Sequence, residues 1–353
     1  MLPETPITVN CPKCRAGWQL TSEEARLKTF TCTDCNTTFG IVDILNIENA
    51  WKVAEDFPRP DWKCIREYIQ QNYLPSEHPA LWHQAAMQWV RAIRYILGGD
   101  YRISQSPNFI VLTTKTPESA KYVLQVCENA IRKIRDLLGD LAWLWTNGKH
   151  VIFMFEDVDL YYRYISYFYA PEGEFSQSGG MFLSRGYSHT ALPPTRDYVP
   201  TIIHELTHLS LRHLQIPLWL NEGLAMNTEN AVIGRSGIRL DGDLAASHET
   251  YWNAETIQDF WSGKSFSHPD TSKLSYSLAQ TLVANMQTDC GDLHDFIKDA
   301  KPSDAGESSA KTHLGVTLNE VAASFLGEGD WTPRPPQPVP DKPTPQSPEP
   351  STA

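Results

Sequence analysis

Long hydrophobic runs are missing from this chain. Val151-Ile152-Phe153-Met154-Phe155 is ended at once by Glu156 and Asp157, far short of the ~20 apolar residues a spanning helix needs. Positive charge is scarce as well. The formal net charge is −12, which argues against coating a polyanion. The opening Met1-Leu2-Pro3-Glu4-Thr5-Pro6 has neither the basic nor the apolar region of a secretory signal. The cysteines do not form an even set: of seven, Cys64, Cys127 and Cys290 stand alone. That suits small apolar filler in a reducing compartment better than a disulfide framework. The expectation is a cytoplasmic protein with no membrane partner.

What is present is a globular composition, 41% hydrophobic and 20% charged over 353 residues, enough for a sizeable core. The other four cysteines come as Cys11-Pro12-Lys13-Cys14 and Cys32-Thr33-Asp34-Cys35, with seventeen residues between the pairs. Each pair can form a knuckle that aims two thiolates at one point, and four thiolates close a tetrahedral zinc site with no room for water. Residues 1–45 are therefore expected to be a ribbon of short strands around a structural Zn2+, and the segment resembles a short bacterial zinc-ribbon finger family. A redox pair fits poorly, since no βαβ pattern surrounds either motif. The ribbon's charges nearly cancel, whereas a nucleic-acid finger carries a basic face. Its aromatics Trp18, Phe30 and Phe39 suit a small core, so contact with a protein partner is preferred to nucleic acid.

Residues 46–99 are expected to be a helical connector, clearest at Ala80–Leu97, where Pro79 suits the helix start and Gly98-Gly99 the stop. From residue 100 strand and helix patterns alternate through a third segment, 100–327. Residues 328–353 form the fourth. Trp331–Ala353 holds nine prolines among twenty-three residues, the composition of a disordered or polyproline II tail that could dock a protein partner.

The chemistry is concentrated at His204-Glu205-Leu206-Thr207-His208, an H-E-x-x-H on an apolar-periodic helix with Asp197 as candidate N-cap. Residues four apart share a helix face, so His204 and His208 can offer two imidazoles to one ion. A hydrolytic zinc wants a third ligand and an open position. After Pro217, Trp219-Leu220-Asn221-Glu222-Gly223-Leu224-Ala225 supplies Glu222 on a second helix folded back on the first. His213 lies off the metal-facing side.

H-E-x-x-H followed by W-L-N-E-G-L-A resembles the gluzincin zinc peptidases of the peptidase MA-like superfamily. That resemblance implies an α+β fold: a zincin-like metallopeptidase domain, with a mixed sheet and active-site helices, behind the small ribbon. It implies a catalytic Zn2+ on His204, His208 and Glu222 with Glu205 as general base. It implies that Tyr276, at the start of a later helix, donates to the oxyanion, although a packed aromatic is the plain alternative and His248, Tyr251 and His268 compete. It also implies that Gly180, Met181 and Phe182, on the last strand before the active-site helix, line the backbone of a peptide or protein substrate. Here the alternative is an ordinary edge blocked by the loop 186–194.

The chain departs from the pattern twice. Thermolysin-like enzymes place an aspartate four residues after the ligand glutamate, where this chain has Met226; Asn221 and Glu229 are then the candidates to orient the histidines. The G-A-M-E-N stretch of the similar zinc aminopeptidases is not found in Gly179-Gly180-Met181-Phe182, which favours an endopeptidase. The competing reading is a regulatory or scaffold protein whose peptidase-like domain is slow, restricted or inactive.

Overall fold

The computed structural model describes residues 7–25, 27–44, 46–52, 57–143, 148–168, 179–235, 242–289 and 292–334. The chain begins with two antiparallel hairpins, β1 (Ile7–Asn10) with β2 (Gly17–Leu20) and β3 (Thr29–Thr31) with β4 (Thr38–Gly40), separated by a single turn of helix, α1 (Ser22–Ala25). Each knuckle turns through a left-handed residue, Arg15 and Asn36. Phe30 bridges Trp18 and Phe39, with ring centroids at 5.3 and 5.8 Å, over a small core of Ile7, Val9, Leu20, Phe39 and Ile41.

A two-residue hairpin, β5 (Trp51–Lys52) with β6 (Arg59–Pro60), begins within Ala50–Glu55, a stretch whose sequence suggests a helix; residues 53–55 of it lie outside the described ones. Helices α2 (Trp62–Asn72) and α3 (His78–Leu97) follow. Gly98 stops α3 in a positive-φ conformation, which a glycine adopts without a Cβ penalty. These helices do not form a separate connector. Trp62, Trp82, Trp89 and Val90 share one core with Ile110, Val151, Phe153 and Ala191 of the sheet.

That sheet has five strands in the order β10-β11-β9-β8-β7. They are β7 (Arg102–Gln105), β8 (Phe109–Thr113), β9 (His150–Met154), β10 (Met181–Leu183) and β11 (His189–Leu192). β8, β9 and β11 run parallel, and β7 and β10 are antiparallel edges. β8 and β9 are joined through α4 (Pro117–Leu138), opened by Thr116, whose side chain accepts from the Ser119 N–H. After β9, α5 (Val158–Ile165) precedes β10. Side chains alternate faces along a strand. Ile110, Leu112, Val151 and Phe153 face α3 and α5, while Phe109, Val111, Ile152 and Met154 face α4 and the next helix, α6 (Val199–Leu211). With both faces covered, β8, β9 and β11 are buried along their whole length.

The remainder is helical: α7 (Leu218–Ile233), α8 (Gly242–Tyr251), α9 (Thr256–Trp261), α10 (Pro269–Asp289), α11 (Leu293–Asp299), α12 (Glu307–Ser309) and α13 (Leu318–Leu326). They enclose a second core around Trp219, Phe260, Leu278 and Phe296. Trp331 belongs to it. Its indole donates to Gly327 O, and its own carbonyl accepts from Trp261 Nε1. Packed, described residues thus run to Arg334, past the tail boundary expected at 327; residues 335–353 lie outside the described ones. Residues 236–241, within the turn-rich connection that the sequence suggests at Gly234–Asp243, are also outside them. Among the described residues no helix is long and apolar enough to cross a membrane.

Candidate metal centre

The site forms where α6, leaving the sheet, meets α7 and α10 of the helical half. α6 starts at Tyr198 without a side-chain cap, so the expected Asp197 cap is not made. Two turns in, His204 and His208 share a face, with ring centroids 4.7 Å apart. α7 returns along α6 and brings Glu222 between them. One carboxylate oxygen, Oε2, lies 3.2 Å from His204 Nε2 and 3.3 Å from His208 Nε2. Two donors that each sit ~2.1 Å from one tetrahedral ion are ~3.4 Å apart, so nitrogen–oxygen–nitrogen spacing of this size fits zinc. The donor atoms of all three residues lie within 4.8 Å of one another.

The other imidazole nitrogens are also engaged. His208 Nδ1 lies 3.2 Å from Asn221 Oδ1, and His204 Nδ1 lies 3.6 Å from Glu229 Oε2. Glu229 is two helical turns beyond Glu222, so it reaches the ring that position 226, a methionine, cannot serve. His213 turns away and packs against Trp143 at 5.5 Å.

Charge in the cluster is tightly shared. Burial pulls the His204 imidazole down, but its hydrogen bonds to Glu222 and Glu229 outweigh this and hold it up at about 10. His208 is raised in the same way, burial being overcome by Glu222. Burial would push the Glu222 carboxyl up, yet the two imidazoles depress it. Glu205 is buried and beside rather than within the trio. Burial raises its carboxyl, against the opposing pull of His204, His208 and the Phe182 N–H.

Tyr276 lies next to the cluster, its ring 6.4 Å from that of His204 and edge-on to Phe266 at 5.3 Å. Its placement follows from close packing of α10 on α7. A Cβ on Gly223 would come 2.5 Å from the Ala279 carbonyl oxygen, and Asn227 Nδ2 donates to Gln280 O at 2.9 Å. Of the rival oxyanion donors, His248 is buried elsewhere, with Nδ1 accepting from Trp252 Nε1 at 2.9 Å and Nε2 facing Ser277 Oγ at 3.0 Å. Tyr251 and His268 line a separate cleft of ≈ 640 Å³ with Lys264 and Asp270.

On the sheet side, β10 is the edge strand beside α6, and the Phe182 N–H donates to Glu205 Oε2 at 2.6 Å. Met181 and Phe182 turn to opposite faces, one to the α3 side and one to the α4–α6 side. Gly180 sits under the first turn of α6, where a Cβ would be 2.5 Å from Thr201 Cγ2. The segment 186–194 does not fold over this edge as a loop. Its residues 189–192 are β11, inserted between β10 and β9.

The four ribbon cysteines also converge. Cys11 and Cys35 Sγ are 3.5 Å apart, as are those of Cys14 and Cys32, well beyond the ~2.05 Å of a disulfide and near the spacing of four thiolates around one zinc.

No family model and no curated protein matches the chain. Among solved structures, it is similar to native leukotriene A4 hydrolase from Saccharomyces cerevisiae, with a TM-score of 0.37 and 18% identity, covering 69% of this chain and 41% of that one. A second structure of native yeast LTA4 hydrolase gives a TM-score of 0.32 at 18% identity, covering 68% and 40%. This chain spans about two fifths of the length of those structures.

Proposed function

We propose that this chain is a zinc-dependent hydrolase that cleaves peptide bonds as an endopeptidase. The observation that carries the reading is the meeting of His204, His208 and Glu222 donors at zinc spacing with Glu205 buried beside them. A structural binding cluster has no need of that fourth group. When bound, zinc would supply Lewis acidity, lowering the pKa of water and polarising a carbonyl.

The chain's own groups account for the rest of the chemistry. Glu205 takes the proton of the attacking water and delivers it to the leaving amine, a role suited to a buried carboxylate whose affinity for protons is raised. Tyr276 is proposed to donate its hydroxyl to the developing oxyanion. Gly180, Met181 and Phe182 are proposed to line an extended peptide added to the edge of β10. The Cys11, Cys14, Cys32 and Cys35 cluster would hold a second zinc that stabilises the ribbon.

The test is a pool of diverse unstructured peptides incubated with zinc-loaded wild type or Glu205→Gln and read by mass spectrometry. Internal cuts made by wild type alone are expected. Equal cutting by a zinc-replete Glu205→Gln sample removes Glu205 from the mechanism, and no cutting by either protein favours the scaffold reading.

A further inference from the structure

The short hydrogen bond from the Phe182 N–H to Glu205 Oε2, at 2.6 Å, ties the edge strand to the general base. We propose that the backbone N–H of Phe182 is the positioning group for Glu205. It holds one carboxylate oxygen, fixes the plane of the carboxyl, and leaves the other oxygen as the one presented to water. This assignment rests on the hydrolytic reading of the site.

Three features of β10 carry it. First, in an antiparallel pair, alternate residues turn their main-chain groups towards the partner strand and away from it. β10 pairs with β11 as Met181 with Ala191, Phe182 with Thr190 and Leu183 with His189. The Phe182 N–H points outward to α6, so it is outside the ladder and available to Glu205. Second, the strand is clamped at fixed distance from α6. A Cβ on Gly180 would stand 2.5 Å from Thr201 Cγ2 and 2.7 Å from Leu192 Cδ2, and only glycine lets β10 approach this closely. Third, Glu205 is buried at 6% exposure, so bulk water does not orient it, and a charge-assisted bond of this length is among the stronger ones in a protein.

One consequence concerns substrate. A peptide laid along β10 finds the donor of residue 182 already committed, so main-chain pairing at that residue falls to its carbonyl. The register of the peptide on the strand and the aim of the base are then set by the same residue.

Two measurements test this. In 15N-phenylalanine-labelled, zinc-loaded protein, with the Phe182 peak assigned by its loss in Phe182→Leu, Glu205→Gln should shift the Phe182 amide proton upfield, because a charged acceptor becomes neutral. An unmoved Phe182 peak overturns the proposal. Phe182→Pro deletes the N–H without deleting a ladder hydrogen bond. It should bind zinc as wild type does but lose about 100-fold in kcat with KM little changed, the scale expected for a displaced catalytic group. A folded, zinc-loaded Phe182→Pro protein with wild-type kcat overturns the proposal as well. If the proline variant does not fold, the amide shift decides alone. If wild type cleaves no peptide, the hydrolytic reading fails, and the shift still decides whether Phe182 holds Glu205.

Discussion

At the scale of single residues, the site depends on what lies behind the candidate ligands. His208 Nδ1 faces Asn221 and His204 Nδ1 faces Glu229. Such partners fix the tautomer and direction of a ligand imidazole, and losing one typically costs about 10- to 100-fold in metal affinity. Asn221→Ala and Glu229→Ala are each expected to weaken zinc binding by that amount in a chelator competition, without the loss of fold that a core substitution brings. Wild-type affinity in both variants would mean that the ring orientations are set by packing alone. The clustering of His204, His208 and Glu222, with Glu205 beside them, was legible in the sequence because helical spacing determines which side chains share a face, and Pro217 marked the return of the chain. Asn221 and Glu229 could only be named as candidates, since their distances depend on how α7 lies on α6. The Phe182 N–H was not legible at all, because a main-chain donor leaves no trace in residue type.

At the scale of elements, α3 shows how polar groups can be built into a core. Gln84 and Gln88 are buried, one turn apart, and they face the extended chain that leaves the ribbon. Gln84 Oε1 accepts from the Val42 N–H at 2.9 Å and its Nε2 donates to Gly40 O at 3.2 Å. Gln88 repeats the pattern with the Ile44 N–H at 2.9 Å and Val42 O at 2.7 Å. Each glutamine stands in for a neighbouring strand. Gln88→Leu would leave one buried donor and one buried acceptor unpaired, at roughly 1–3 kcal/mol for each such group. The urea midpoint should fall accordingly, and an unchanged midpoint would show that water reaches the segment. The apolar stripe of α3 was visible in the sequence, but the glutamines were not, since nothing local announces a strand laid against the helix. β11 was missed for a related reason. His189-Thr190-Ala191-Leu192 has no alternation because it is buried on both faces, and Gly186 and Pro193-Pro194 beside it suggest a loop. Trp331 was assigned to the tail by its proline-rich neighbours, although its indole fills the second core.

At the scale of the whole molecule, two metal clusters should report separately. About two zinc ions per chain are expected, with Cys11→Ser losing one and His208→Ala the other, since each site needs all its donors. Metal analysis that finds both lost together, or a single ion lost only with His208→Ala, would refute two independent sites.

Acid should also unfold the molecule through groups outside both clusters. Burial holds His83 down at about 4, helped by Lys149 and Arg91, and burial likewise holds His189 and His248 at about 4. His150, buried at the start of the central strand β9, is held well below the usual imidazole range for the same reason. His189 is locked as a neutral ring between Tyr164 Oη and the Tyr187 carbonyl, each at 2.7 Å. In the unfolded chain these rings titrate near ~6.5. Below that pH the unfolded state binds more protons than the folded one, so the stability present above it is lost as pH falls towards 4. Each ring contributes about 1.4 kcal/mol per unit of separation, and the four are spread over both cores, so the loss should be global. In excess chelator, where metal release plays no part, His204 and His208, held protonated by Glu222, should make the urea midpoint rise from pH 8 to 7, and the four buried rings should then make it fall steadily from 6.5 to 4. His248→Gln, which keeps a polar partner for Trp252 and Ser277 but cannot titrate, should flatten part of that fall. A midpoint that stays level to pH 5 would mean that these histidines accept protons without unfolding the chain.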